Sequence, residues 1–180
     1  MSLRILQAHS PQQIEEARRL FVEYAESLGF SLCFQGFDQE LAGLPGEYFP
    51  PSGCLLLAED ESRIAGCVAV HQLADGICEM KRLYVRPAFR GRKIGLALAE
   101  AALAEARRMG YVRMRLDTIA DSMREAVAMY RALGFREIPP YRTNPIASAT
   151  YMELDLAAEP RRNSAAGSNV QSGGAQGESP

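Results

Sequence analysis

The sequence predicts an α+β chain of three layers, a mixed central sheet flanked by helices, and three observations carry that reading. Apolar periodicity alternates between the strand and helix repeats in the order β-α-α-β-β-β-α-β-α-β-β. Cys54 to Val85 divides into three apolar, β-leaning runs at the turn signals Asp60-Glu61-Ser62-Arg63 and Asp75-Gly76, an antiparallel meander. The last run passes through a short turn opened by Arg86-Pro87 into a long Ala-rich helix, Gly91 to Met109.

Each element has a local cause. Leu3 to Ala8 is a short strand. Ser10 is an N-cap, Pro11 takes the first helical position and Gln13 completes a capping box. Ile14, Ala17, Phe21, Tyr24 and Leu28 then form one apolar stripe that Gly29 terminates. Phe37 to Leu44 is a second helix, broken by Leu44-Pro45-Gly46. The aromatics of this region, Phe34 among them, either pack on the sheet or wall an acceptor pocket. In the Ala-rich helix, Ile94, Leu98 and Ala101-Ala102 give a buried face of small side chains. Tyr111 to Thr118 is the next strand. Ser122-Met123-Arg124-Glu125 reads as a capping box for a helix carrying Val127, Tyr130 and Leu133, which Gly134 caps. Phe135 to Ile138 and Thr150 to Leu156 supply the last strands.

Composition bounds the function. A chain of 180 residues with 47% apolar content is one domain, 1–156, plus a tail. Residues 157–180 are rich in Ser, Gly, Asn, Gln and Pro, so disorder is expected there. A net charge of −2 argues against a nucleic-acid partner. Cys33, Cys54, Cys67 and Cys78 form no C-x-x-C pair and His9 and His71 are isolated, so no metal is expected. Reduced thiols point to the cytoplasm, and no apolar run is long enough to span a bilayer.

The join at Arg90-Gly91-Arg92-Lys93-Ile94-Gly95-Leu96-Ala97 carries the chemistry. A helix start leaves backbone N–H groups unpaired and partial positive charge beside them. Glycines let a ligand approach the main chain, and Arg90, Arg92 and Lys93 surround the same turn. This combination suits a phosphate or diphosphate. It lacks the Lys-Ser/Thr of a P-loop and the G-x-G-x-x-G of a dinucleotide fold.

The join resembles the [Q/R]-x-x-G-x-[G/A] signature of the GNAT-type N-acetyltransferases, with Arg90 at the first position and Gly95 at the last. Lys93 stands where the middle glycine is usual, a replacement that leaves the N–H free provided its φ is negative. One strand and one helix later, Met129-Tyr130-Arg131-Ala132-Leu133-Gly134-Phe135 resembles the family's L-Y-x-x-x-G-F stretch, in the family's order of elements. Met123 stands where many relatives carry Asn.

The resemblance implies a GNAT acyl-CoA N-acyltransferase fold over Leu3 to Leu156, with acetyl-CoA as co-substrate and an amine as acceptor. It implies that main-chain N–H groups from Arg92 to Ala97 take the diphosphate. Leu83, Tyr84 and Val85 would pair with the pantetheine arm and polarise the thioester carbonyl. Tyr130 is the implied general acid, against the alternative of a core tyrosine on an apolar helix face. Glu79 is the implied general base, acting through water, against a charged strand end paired with Lys81 or Arg82. Tyr141 and Asn144 fall where the family lines its acceptor site. The expected reaction is direct transfer to a primary amine; the alternative is a non-catalytic acyl-CoA-binding sensor. Oligomeric state stays open, a homodimer included.

Overall fold

The computed structural model describes residues 2–33 and 36–157. Phe34, and the tail expected to be disordered except for Ala157, lie outside the described residues. The elements are β1 (Leu3–Gln7), α1 (Pro11–Ser27), α2 (Phe37–Gly43), β2 (Cys54–Asp60), β3 (Arg63–Ala74), β4 (Ile77–Val85), α3 (Ile94–Arg108), β5 (Arg113–Ile119), α4 (Arg124–Leu133), β6 (Arg136–Ile138) and β7 (Ala149–Asp155). The expected α+β order is present throughout.

Seven strands form one sheet in the order β1-β2-β3-β4-β5-β7-β6. β4 and β5 are parallel, joined across α3, and every other neighbouring pair is antiparallel. Strand alternation sorts side chains into two cores. Leu56, Val68, Val70, Met80, Met114 and Leu116 pack under α3 and α4. Leu55, Leu57, Cys67 and Tyr84 pack under α1 and α2. Leu55, Leu57, Leu98 and Leu116 are each at least 98% buried, a contribution of roughly 1.5–3 kcal/mol apiece.

Local sequence accounts for most boundaries. At α1, Ser10 Oγ accepts the Gln13 amide at 3.2 Å, and Gln13 Oε1 accepts the Ser10 amide at 3.0 Å, as the capping box predicts. The capping box expected at Ser122 does not form. Met123 is the N-cap of α4 without a side-chain cap, and the Ser122 hydroxyl turns back toward Ile119 O. The Ala-rich helix begins at Ile94 instead of Gly91, because Gly91 and Lys93 both adopt left-handed φ, +77° and +60°.

Two irregularities in β4 open the sheet. β4 pairs with β5 only from Ile77 to Glu79, against Arg113 to Arg115, and beyond that point the strands part. On the other edge, Cys67 pairs with Tyr84 and Ala69 with Lys81, so Val68 alone faces Arg82 and Leu83. This is a β-bulge, with Arg82 at φ +58°. Gly66 is required here, since a Cβ on it would lie 2.3 Å from Tyr84 O. Arg82 is buried and held by Glu40 through Nε at 3.1 Å and Nη2 at 2.5 Å, with its guanidinium 5.1 Å from the Phe37 ring. Burial pushes the Glu40 carboxyl up, but bonding and charge from Arg82 outweigh it and hold Glu40 below the ordinary 4.5.

Candidate active site

A cavity of about 770 Å³ fills the split. Met80 to Val85 of β4 form one wall and Leu116 to Ile119 of β5 the other. The head of α3, from Gly91 to Leu96 except Arg92, closes one end, and Met123 to Ala126, Met129 and Tyr130 form a flank with Asn144.

β4 turns an open edge to this space. The Arg86 amide bonds to Ala65 O at 2.8 Å, so strand alternation points the amides of Val85 and Leu83 away from β3. Val85 O also faces outward, where it accepts Arg90 Nε at 3.1 Å. The open edge runs toward the head of α3. There Ile94, Gly95 and Leu96 are the first residues of the helix, and their amides have no intrahelical acceptor. The Ala97 amide, by contrast, closes the first helical hydrogen bond on Lys93 O at 3.0 Å, so it is not available to a ligand.

The cations of the turn divide. Arg90 and Lys93 are exposed and line the cavity. Arg92 does not: its Nη1 pairs with Asp60 Oδ2 at 2.9 Å, and its guanidinium lies over Phe89. It braces the turn against β2. Lys93 does not meet the expectation of negative φ; at +60° its backbone keeps the left-handed conformation that glycine would take more easily.

Tyr130 is 7% exposed, lines the cavity and packs edge-on against Phe135 with ring centroids 5.7 Å apart. Its hydroxyl has no hydrogen-bond partner among the described residues. Burial, chiefly, pushes its pKa well above the ordinary 10.0, so it keeps its proton at neutral pH.

Glu79 sits differently from the exposed strand start its sequence context suggests. It is 0% exposed and is not part of the cavity wall. Neither Lys81 nor Arg82 pairs with it. Its carboxylate accepts the Tyr141 hydroxyl at 2.7 Å, meets the Arg142 guanidinium, and lies 3.1 Å from His71 Nε2. Burial, with Lys81 nearby, lowers the His71 pKa to about 4, and the ring stands between two carboxylates, with Nε2 toward Glu79 and Nδ1 3.3 Å from Glu47. This cluster fastens the loop after β6 onto β3 and β4. Asn144, in the same loop, reaches the cavity, while Tyr141 stands behind its wall.

Sequence reasoning missed Lys81, Asp117 and Asn144's contact with the latter, 3.5 Å from Nδ2 to Oδ2. Strand alternation carried the signal: Lys81 and Asp117 are charged positions within strands whose neighbours Met80 and Leu116 are core. It missed Glu40 and Arg142 for want of any local signal.

The sequence model of the acetyltransferase (GNAT) family matches residues 14–135. An uncharacterised N-acetyltransferase of Schizosaccharomyces pombe is 43% identical over 149 residues, covering 82% of this chain and 91% of the relative. Among solved structures, a GNAT-family acetyltransferase from Staphylococcus aureus superposes with a TM-score of 0.71 at 19% identity, over 86% of this chain and 99% of its own. A PaiA N-acetyltransferase from Thermoplasma acidophilum, solved with coenzyme A, gives 0.65 at 20% identity over 86% and 99%. With its sheet split after Glu79 and its helix head opening on the split, the chain belongs to the GNAT acetyltransferase family.

Proposed function

We propose that this chain is an acetyl-CoA-dependent N-acetyltransferase that transfers acetyl directly to a primary amine of a small molecule or peptide. The observation that carries the reading is the continuity of one cavity from the open edge of β4 to the unpaired amides at the head of α3. That path matches a ligand with an amide-bearing arm and a diphosphate. The Thermoplasma relative's complex with coenzyme A supports the same ligand.

Acetyl-CoA supplies an acyl group activated as a thioester. The amides of Ile94, Gly95 and Leu96, with the side chains of Arg90 and Lys93, hold the diphosphate. Gly91 lets the chain turn into that cradle. The main chain of Leu83 and Val85 pairs with the pantetheine arm and offers an N–H where an oxyanion develops, whereas Tyr84, expected to join them, turns its main-chain groups to β3. Tyr130 gives its hydroxyl proton to the leaving thiolate and regains one from the proton that the attacking amine gives up, so the transfer yields the amide and the free thiol. Glu79 is a positioning residue: enclosed and held by Arg142, Tyr141 and His71, it sets the loop that carries Asn144 instead of meeting the amine. Burial pushes the Cys54 and Cys78 thiols up to about 12 and that of Cys67 higher still, which disfavours a cysteine acyl intermediate. The four cysteines are free, in keeping with a cytoplasmic protein.

Calorimetry with acetyl-CoA, followed by a thiol-release assay over an amine panel, tests the reading. Saturable binding with amine-dependent release of coenzyme A is expected. Tight binding with no release from any amine would favour the non-catalytic sensor.

A further inference from the structure

Besides Arg82, which Glu40 holds, each wall of the split brings one further charge to the cavity. Lys81 and Asp117 stand two residues beyond Glu79 and Arg115, the last paired couple of β4 and β5. Both are half-buried and both line the cavity. Among the described residues, no carboxylate lies within 4.0 Å of the Lys81 ammonium and no cation within 4.0 Å of the Asp117 carboxylate. The side-chain partner of Asp117 is Asn144, through a long contact of 3.5 Å. The strands have already diverged at this level, so the two charges face each other without meeting.

Half-buried opposite charges held apart in one open space are poorly compensated. Their titration agrees with that geometry. Burial, then Arg82 nearby, lowers the Lys81 pKa, and burial raises that of Asp117. A ligand bearing both signs relieves both groups at once, whereas a simple cation or anion relieves one only. The orientation also follows. Asp117 lines the cavity that also holds Tyr130 and takes no part in the second cavity that Lys81 borders, which sets Asp117 at the reacting end. Lys81 opens on its other side to a second cavity, beside Gly46 and Glu47.

We propose that Asp117 and Lys81 together recognise a zwitterionic acceptor, a free amino acid whose ammonium group pairs with Asp117 and whose carboxylate pairs with Lys81. This rests on the acetyltransferase reading above and adds the class of its acceptor. A polyamine or an amide-capped amine would leave Lys81 uncompensated, and a peptide N-terminus would present an amide where an amino acid has its α-carboxylate.

The test compares amino acids with their carboxamides, together with a polyamine and a short peptide, by thiol release from the full chain. Acetyl-CoA affinity is measured separately by calorimetry. Wild type should favour the acids over the carboxamides by about 10-fold or more in kcat/KM. Lys81→Met and Lys81→Gln should erase that preference through KM and leave acetyl-CoA affinity within about 2-fold. Asp117→Asn should raise KM for acids and carboxamides alike. Equal use of acid and carboxamide by wild type overturns the inference. So does a preference for the polyamine or peptide, or turnover of no amino acid by protein that binds acetyl-CoA. Failure to bind acetyl-CoA at all strikes instead at the acetyltransferase reading itself.

Discussion

Gly95→Asp separates the fold from the proposed cofactor cradle. Gly95 is the second residue of α3, lines the cavity and does not have a left-handed φ. A Cβ there would meet Val85 Cγ2 at 3.7 Å, an ordinary contact, so the protein itself has room for a side chain. An aspartate in the first turn also complements the helix dipole by roughly 0.3–1 kcal/mol. Thermal stability should therefore hold or rise slightly. Binding should not survive. A carboxylate about 5 Å from a bound phosphate, at an effective dielectric near 20, is repelled by about 3 kcal/mol per unit charge. Each displaced charge-assisted amide bond adds about 1.5–3 kcal/mol. A loss of at least about 3 kcal/mol corresponds to roughly 150-fold in Kd or more. Calorimetry at low and high salt reads the affinity, and a thermal melt reads the fold. Gly95→Ala is the control, expected to bind within a few-fold of wild type. Unchanged affinity in Gly95→Asp would refute the diphosphate site. A melt lowered by more than about 5 °C would refute the claim that the position tolerates a side chain.

Three further outcomes are expected. Tyr130→Phe should lower kcat roughly 100-fold with acetyl-CoA affinity unchanged, since a general acid is lost and little binding is; comparable turnover would return this side chain to a packing role. Lys93→Gly should raise stability to denaturant by about 1 kcal/mol, by relieving a left-handed conformation that a side chain makes costly. Glu40→Gln should destabilise by about 3 kcal/mol at neutral pH, because it removes the carboxylate that pairs with the buried Arg82 guanidinium. The Glu40 carboxyl is held below 4.5 when folded, so its contribution is present above that pH and fades as pH falls further. Acid unfolding of the wild type should accordingly be steeper than that of Glu40→Gln, and parallel curves would remove the pair from the stability argument.

What could be read in advance followed the range of the cause. Caps, turns and periodicity act over a few residues. Ser10, Gln13, Gly29, Gly134 and the Asp75-Gly76 turn therefore announced their elements, and the Arg90 to Gly95 join announced the turn that leads into α3. The bulge at Arg82 gave no such notice, because what stabilises it, Glu40 and Gly66, lies on other elements. Glu79 was located correctly on its strand, but its burial depends on Tyr141 and Arg142, more than sixty residues away in sequence. Arg92 resembles its neighbours Arg90 and Lys93 in sequence, and only the approach of Asp60 from β2 distinguishes it. The pattern at Ser122 had the residues of a capping box, yet the chain enters α4 one residue later and leaves that hydroxyl facing Ile119.

The short seam between β4 and β5 has a mechanical meaning. Among the described residues, three strand pairs join the β1 to β4 portion of the sheet to the β5, β7 and β6 portion along that line, extended at one end by the Val112 and Arg113 amides on Gly76 O. The main-chain groups of Leu83 and Val85 beyond it lack a neighbouring strand on that side, so their amides should exchange with solvent faster than those buried between β2 and β3. A molecule lying along the gap would act as a missing strand, clamping both portions. Its arrival should slow exchange at the tips of β4 and β5 together, turning a weak line of the sheet into its ligand-dependent fastening.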